Sequence, residues 1–193
     1  MFIRTAHVLI PLVATGALVA FPHAGAAQDA AAVLTAIEQG MGTDVPRRVR
    51  VAVAGSGYKS AGDTATHYRI EPHTMEISGA STDALWTPIA FLAGAASGKA
   101  TQAKETRAGT PYTVISFTAN GQVVRGYVTE KNVLERIRTE TKGEAGGAQV
   151  EEVFLNWEEF DGLRFPSLII QKQNDRVSRI LVVSDVGRLE AGP

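Results

Sequence analysis

The residues to weigh first for chemistry are His67 and His73, because imidazole both ligates metals and titrates near neutrality. They stand six apart, with Asp63 and Glu71 close enough in sequence to complete a ligand set. Six residues share one strand face only where pairing is unbroken, and Pro72 interrupts this run. The spacing matches no zinc-site pattern, so no metal is expected. Nucleophilic catalysis lacks its parts as well. There is no cysteine and no G-x-S-x-G elbow, and Ser56 between Gly55 and Gly57 reads as a bend at a strand end. Glu151, Glu152, Glu158, Glu159 and Asp161 form an acidic strip. On a strand, Glu152 and Glu158 would share a face with Phe154, Asn156 and Phe160. Glu151 and Glu159 would take the other face with Val153, Leu155 and Trp157. That is charge at the two ends of a strand, with Arg164, Lys172, Arg176 and Arg179 available as cross-strand partners. A calcium loop would need carboxylates converging from a tight turn. No catalytic residue, metal or cofactor is expected.

The apolar segment Leu85–Ala96 is the stronger candidate for function. It is free of charge, and Pro88 suits the first turn of a short helix. Ile89, Leu92 and Ala96 make one apolar face, but the opposite face is apolar too, so the helix is either wholly buried or covers a groove. Trp86, Ile89, Phe91 and Leu92 then have two readings: a plug filling a concave sheet, or a lid over a hydrophobic ligand. Gly94 and Gly98 allow close packing or easy movement. Candidate ligand-lining residues are Trp86, Ile89, Phe91, Leu92, Phe117 and Phe154.

The elements that must position these residues begin after a segment of different character. Arg4, the apolar run Val8–Phe21 and the small residues Ala24-Gly25-Ala26 describe a secretory signal peptide over residues 1–26. Pro11, Gly16 and Pro22 break it below the roughly 20 apolar residues of a membrane span, so no transmembrane anchor is expected. Cleavage before Ala27 leaves residues 27–193 as one domain, with 18 basic against 20 acidic residues and a net charge of −2. Scattered basic residues argue against a nucleic-acid partner. Export points to the periplasm, or to secretion beyond it.

Asp29 is placed to cap a short helix whose stripe is Val33, Ile37 and Met41, ended by Gly40 and Gly42. From Val49 the period changes to two, and Val49, Val51 and Val53 mark a strand with one buried face. A second strand holds Tyr68, Ile70, Met75 and Ile77, with Pro72 pushing it toward an edge or a bulge. Tyr112–Thr118 and Val123–Val128 form a hairpin about Asn120-Gly121. Leu134–Thr141 fits either a helix or an edge strand, and Gly143–Gly147 is a loop. Val150–Phe160, Arg164–Lys172 and Val177–Val186 make a meander through Asp161-Gly162 and Asn174-Asp175. About seven strands and two short helices predict a mainly β, α+β domain: a strongly curved antiparallel sheet or incomplete barrel with an N-terminal helix and a short apolar helix against its concave face.

Gly40-Met41-Gly42, Gly55-Ser56-Gly57, Trp86-Thr87-Pro88, Phe91-Leu92, Tyr112–Phe117 and Trp157–Pro166, in this order, resemble the β-rich accessory domain that precedes the catalytic domain in some exported metallo-β-lactamase-fold hydrolases. That domain is similar to the open barrel of periplasmic lipoprotein carrier and receptor proteins. The H-x-H-x-D-H motif of the hydrolase domain does not occur here, so the resemblance implies a scaffold and its apolar cavity without the chemistry. The function expected is a non-enzymatic exported binding module for a hydrophobic or lipid-like small molecule. The alternative is an accessory domain docking a separately encoded envelope enzyme or sensor. A hydrolase would require His67 or His73 within reach of a serine and a carboxylate.

Overall fold

The computed structural model describes residues 24–42, 44–61, 64–78, 86–141 and 149–189. The chain runs α1 (Ala24–Met41), β1 (Arg48–Ala61), β2 (Thr64–Ser78), α2 (Pro88–Ser97), β3 (Thr101–Arg107), β4 (Thr110–Ala119), β5 (Gln122–Val128), β6 (Leu134–Thr141), β7 (Gln149–Phe160), β8 (Leu163–Gln173) and β9 (Arg176–Arg188). The expected signal peptide lies outside the described residues except for Ala24–Ala26, which form the first turn of α1. Asp29 is therefore inside α1 rather than at its cap. The Gly143–Gly147 loop and Asp63 lie outside the described residues.

The nine strands form one antiparallel, curved and unclosed sheet in the order β2-β1-β9-β8-β7-β6-β5-β4-β3. The last strand, β9, pairs with β1, and β2 and β3 are the two edges. The connection between β2 and β3 therefore runs from one margin of the sheet to the other, and α2 lies in it. Alternation sets the concave face: Val49, Val51 and Val53 of β1 join Phe117, Phe154 and Ile169 in a core that also takes Ile37 and Met41 from α1 and Ile89, Phe91 and Leu92 from α2. Gly126 of β5 admits α2 closely, because a Cβ there would come within 2.2 Å of Phe91 Cζ.

Four hairpins close through two residues with positive φ, the geometry that matches strand twist. They are Ala108-Gly109 (49° and 83°), Asn120-Gly121 (49° and 73°), Asp161-Gly162 (47° and 70°) and Asn174-Asp175 (49° and 63°). The last three are the turns anticipated from their Asx and glycine residues. Pro72 sits in edge strand β2, where the register against β1 shifts between Val53 and Gly55. The strand ends differ from expectation on either side of Gly55-Ser56-Gly57: β1 continues to Ala61 and β2 begins at Thr64. Leu134–Thr141 is a strand, paired on both sides by β5 and β7.

A second, smaller cluster forms on the convex face. Tyr112, Val114 and Tyr127 pack together, the two rings meeting edge-on at 5.8 Å between centroids. Arg107 covers Tyr127 at 5.5 Å and Arg136 covers Tyr112 at 5.7 Å. Buried Glu151 accepts a hydrogen bond from Arg107 Nη1 at 2.6 Å, with Arg136 and Lys172 also within ion-pairing distance. Glu135 pairs with Arg136 and accepts a hydrogen bond from the Tyr112 hydroxyl at 2.9 Å.

Two substitutions test this packing by chemical denaturation. Gly126→Ala forces a methyl group into Phe91 and lowers stability by about 2 kcal/mol, typical of overpacking; an unchanged midpoint would refute the Phe91–Gly126 contact. Ala108→Asn relieves a side chain of left-handed strain and raises stability by about 1 kcal/mol; a loss of stability would contradict the turn geometry at Ala108.

Candidate functional site

The sheet-facing side of α2 is filled. Thr87 caps the helix, its Oγ1 accepting from the Ala90 amide at 3.3 Å, and Pro88 occupies the first turn. Phe91 meets the Phe117 ring at 5.3 Å and Trp86 meets it at 5.9 Å. Phe154 stacks edge-on with Trp157 at 6.4 Å. Of the six candidate lining residues, Ile89, Phe91, Leu92, Phe117 and Phe154 are buried, and Trp86 is half-buried at the start of the helix. In this conformation the aromatic members of the set act as a plug.

Open space lies on the other side of α2. A cleft of about 800 Å³ runs between α1, α2 and the segment joining α1 to β1. Ile89, Leu92, Ala93 and Ala96 from α2, with Val45 and Pro46, give it an apolar wall. Thr35, Glu38 and Gln39 on the outward face of α1, together with Asp44, Arg47 and Ser97, give it a polar rim. The structure thus brings Ile89 and Leu92 to the cleft and keeps Trp86, Phe91, Phe117 and Phe154 out of it. The α1 and linker residues were not anticipated, because Thr35, Glu38 and Gln39 read in sequence only as the solvated side of an amphipathic helix.

His67 and His73 are exposed on β2; His67 packs against the Tyr58 ring at 5.3 Å, and His73 Nδ1 lies 2.9 Å from the Glu71 carbonyl oxygen. Among the described residues no group of three or more His, Asp or Glu gathers in metal-binding geometry. Ser56 lies within β1, opposite Arg69 and Ile180.

The acidic strip needs the largest correction. Glu158, Glu159 and Asp161 are exposed, but Glu151 and Glu152 are buried well inside the sheet, on opposite faces of β7. Glu151 is compensated by three cations on the convex side. Glu152 is 0 % exposed and lies between Ile137 of β6 and Gln171 of β8. Its Oε1 accepts from Gln171 Nε2 at 3.2 Å, while Oε2 has no hydrogen-bond partner. The backbone N–H groups of Trp86 and of Glu152 itself approach the carboxyl and favour its charged form. Burial outweighs them and pushes the carboxyl from its ordinary 4.5 up to about 7.

A carboxyl raised in the folded state keeps a proton that the unfolded chain has already lost. Its contribution to stability is therefore full below about pH 4.5 and is lost as the pH rises to about 7. Glu152→Gln, which removes the charge and keeps the shape, should gain on the parent over that window, by roughly 3 kcal/mol in all at about 1.4 kcal/mol per unit. Urea denaturation of both proteins at pH 5, 6, 7 and 8 measures the difference. A constant difference across the series would show that Glu152 does not titrate there.

No known family's sequence profile matches the chain, and no curated protein matches it in sequence. Two solved structures are similar in fold. One is a LolA-superfamily protein from Nitrosomonas europaea, at 11% identity and a TM-score of 0.52 over 84% of this chain and 94% of that one. The other is a DUF1329 family protein from Desulfovibrio piger, at 10% identity and a TM-score of 0.48 over 87% of this chain and 95% of that one. The unclosed, strongly curved sheet with helices on its concave side is a LolA-like open barrel.

Proposed function

We propose that the protein is a non-enzymatic, exported binding module for a hydrophobic or lipid-like small molecule, acting in the periplasm or beyond the cell after removal of residues 1–26. The observation that carries this reading is the cleft of about 800 Å³, which is apolar along α2 and polar along α1, in a fold like that of a LolA-superfamily protein. The size lies within the usual range of ligand pockets. An amphiphile would lay its chain along Ile89, Leu92, Ala93 and Ala96 and keep its polar end at the rim. Affinity would come mainly from apolar burial, at roughly 25 cal/mol per Å². Trp86, Phe91, Phe117 and Phe154 would join the lining if α2 moved away from the sheet to admit a larger ligand. Among the described residues no helix is long and apolar enough to cross a membrane.

A second reading draws on the convex face. Leu155, Leu168 and Val182 stand side by side across β7, β8 and β9, with Leu155 36% and Val182 50% exposed. Such an apolar row suits an accessory domain that docks an envelope enzyme or sensor, as the resemblance to domains of exported metallo-β-lactamase-fold hydrolases implies.

Incubation of the purified protein with an envelope lipid extract, followed by native mass spectrometry, tests the first reading. The parent should carry a bound amphiphile. Ala93→Trp, which fills the cleft from α2, should reduce occupancy at least tenfold with little change in melting temperature. An empty parent protein would defeat the binding proposal, and full occupancy in Ala93→Trp would move the ligand out of this cleft.

A further inference from the structure

We propose that the cleft between α1 and α2 takes an amphiphile with a zwitterionic head, a primary ammonium joined to a phosphate, a preference that rests on the binding reading above. The uncommitted groups of the rim point to this head. Thr35 and Ser97 donate their hydroxyl protons within α1 and α2, to the carbonyl oxygens of Ala31 at 3.0 Å and Gly94 at 3.1 Å. The polar side chains left for a ligand are the amide of Gln39, the carboxylates of Glu38 and Asp44, and the guanidinium of Arg47. Those three ionic side chains are exposed, and none forms an ion pair with a described residue. Both signs of charge therefore stand open on one rim.

The linker part of the rim is held in place by the sheet. Gly42, at a φ of 130°, lies so close to the β7–β8 turn that a Cβ would come within 2.6 Å of the Gly162 carbonyl oxygen. Arg188, at the end of β9, donates to the Asp44 carbonyl at 3.0 Å and to the Gly162 carbonyl at 3.5 Å, clamping linker to turn. Asp44 takes a φ of 61°, a conformation that aspartate tolerates better than most residues. Val45, beside it, packs against the core. Asp44 and Arg47 thus project from an anchored segment and Glu38 from a helix, so little order is lost when a head binds.

Each charge selects a part of the head. The planar fork of a guanidinium matches two phosphate oxygens. A primary ammonium has N–H donors to give, and the carboxylates of Glu38 and Asp44 accept them. Two carboxylates against one guanidinium leave the lining at −1, which disfavours a purely anionic head. A trimethylammonium has no N–H to donate and is ordinarily held by aromatic rings. Among the described residues that line the cleft, none is aromatic. The opposite wall, from α2, carries no ionisable side chain and is left for the acyl chain.

Calorimetric titration with three lysophospholipids of one chain length, each below its micelle concentration, tests the head separately from the chain. The parent should bind the phosphoethanolamine form about tenfold tighter than the phosphocholine and phosphoglycerol forms. Glu38→Gln combined with Asp44→Asn should remove the advantage of ethanolamine over choline and strengthen binding of the phosphoglycerol form. Arg47→Gln should weaken all three. The substituted side chains are exposed and asparagine suits the backbone at position 44, so melting temperatures should stay at the parent's. Equal binding of the three forms by the parent, lost in Ala93→Trp, would overturn the head preference and leave the cleft as the site of the chain. An ethanolamine preference unchanged in the double variant would also overturn it, since the head would then lie elsewhere. No binding of any form would overturn both the preference and the amphiphile reading.

Discussion

The connection between β2 and β3 constrains everything on the concave side. Every other link between consecutive strands is to a neighbour in the sheet, but β2 and β3 are its opposite edges. A chain joining two edges of a strongly curved sheet crosses the open side, and whatever it carries across is presented to the concave face. This chain carries an uncharged ten-residue helix with six buried residues. The core of the open barrel is therefore completed by a connection, not by closure of the sheet. The bare Cα of Gly126 provides the seat for Phe91 and hence the depth of the helix.

That arrangement divides the interior. On the sheet side of α2 lies dry aromatic packing, with Phe91, Phe117 and Phe154 essentially without exposure. On the far side lies the cleft shared with α1. One helix thus serves as core on one face and as the apolar wall of the cleft on the other. Glu152 is the exception within the dry half. A carboxyl does not belong there unless it is neutral or water can reach it.

The sequence made much of this legible, for identifiable reasons. Turns written with Asn, Asp and Gly located three hairpins, and Val49, Val51 and Val53 fixed the buried face of β1. The edge role of β2 could be read from Pro72. One strand escaped. Strand β3, TQAKETR, is mostly exposed and so shows no alternation, and its hairpin turns at Ala108, a residue that does not announce positive φ. The faces of β7 were legible up to Leu155. Asn156 then adopts a φ of 50°, and Trp157 packs with Phe154 in the core instead of lying opposite it. Burial of Glu152 was hidden because a glutamate beside other glutamates reads as solvent-facing charge. Its partner Gln171 is nineteen residues away, and only the register of β7 against β8 brings them together. The cleft was half visible: the apolar segment supplied Ile89 and Leu92, while the polar wall depends on how α1 packs beside α2, which periodicity does not reveal.

The helix α2 completes the open barrel by seating Phe91 over Gly126, and solution NMR reads that contact directly. Strong nuclear Overhauser effects are expected between the Phe91 ring and the Gly126 α-protons, with those protons shifted upfield by the ring, in the ligand-free protein at pH 6. Gly126 α-protons at ordinary shifts, with no cross-peak to Phe91, would contradict it.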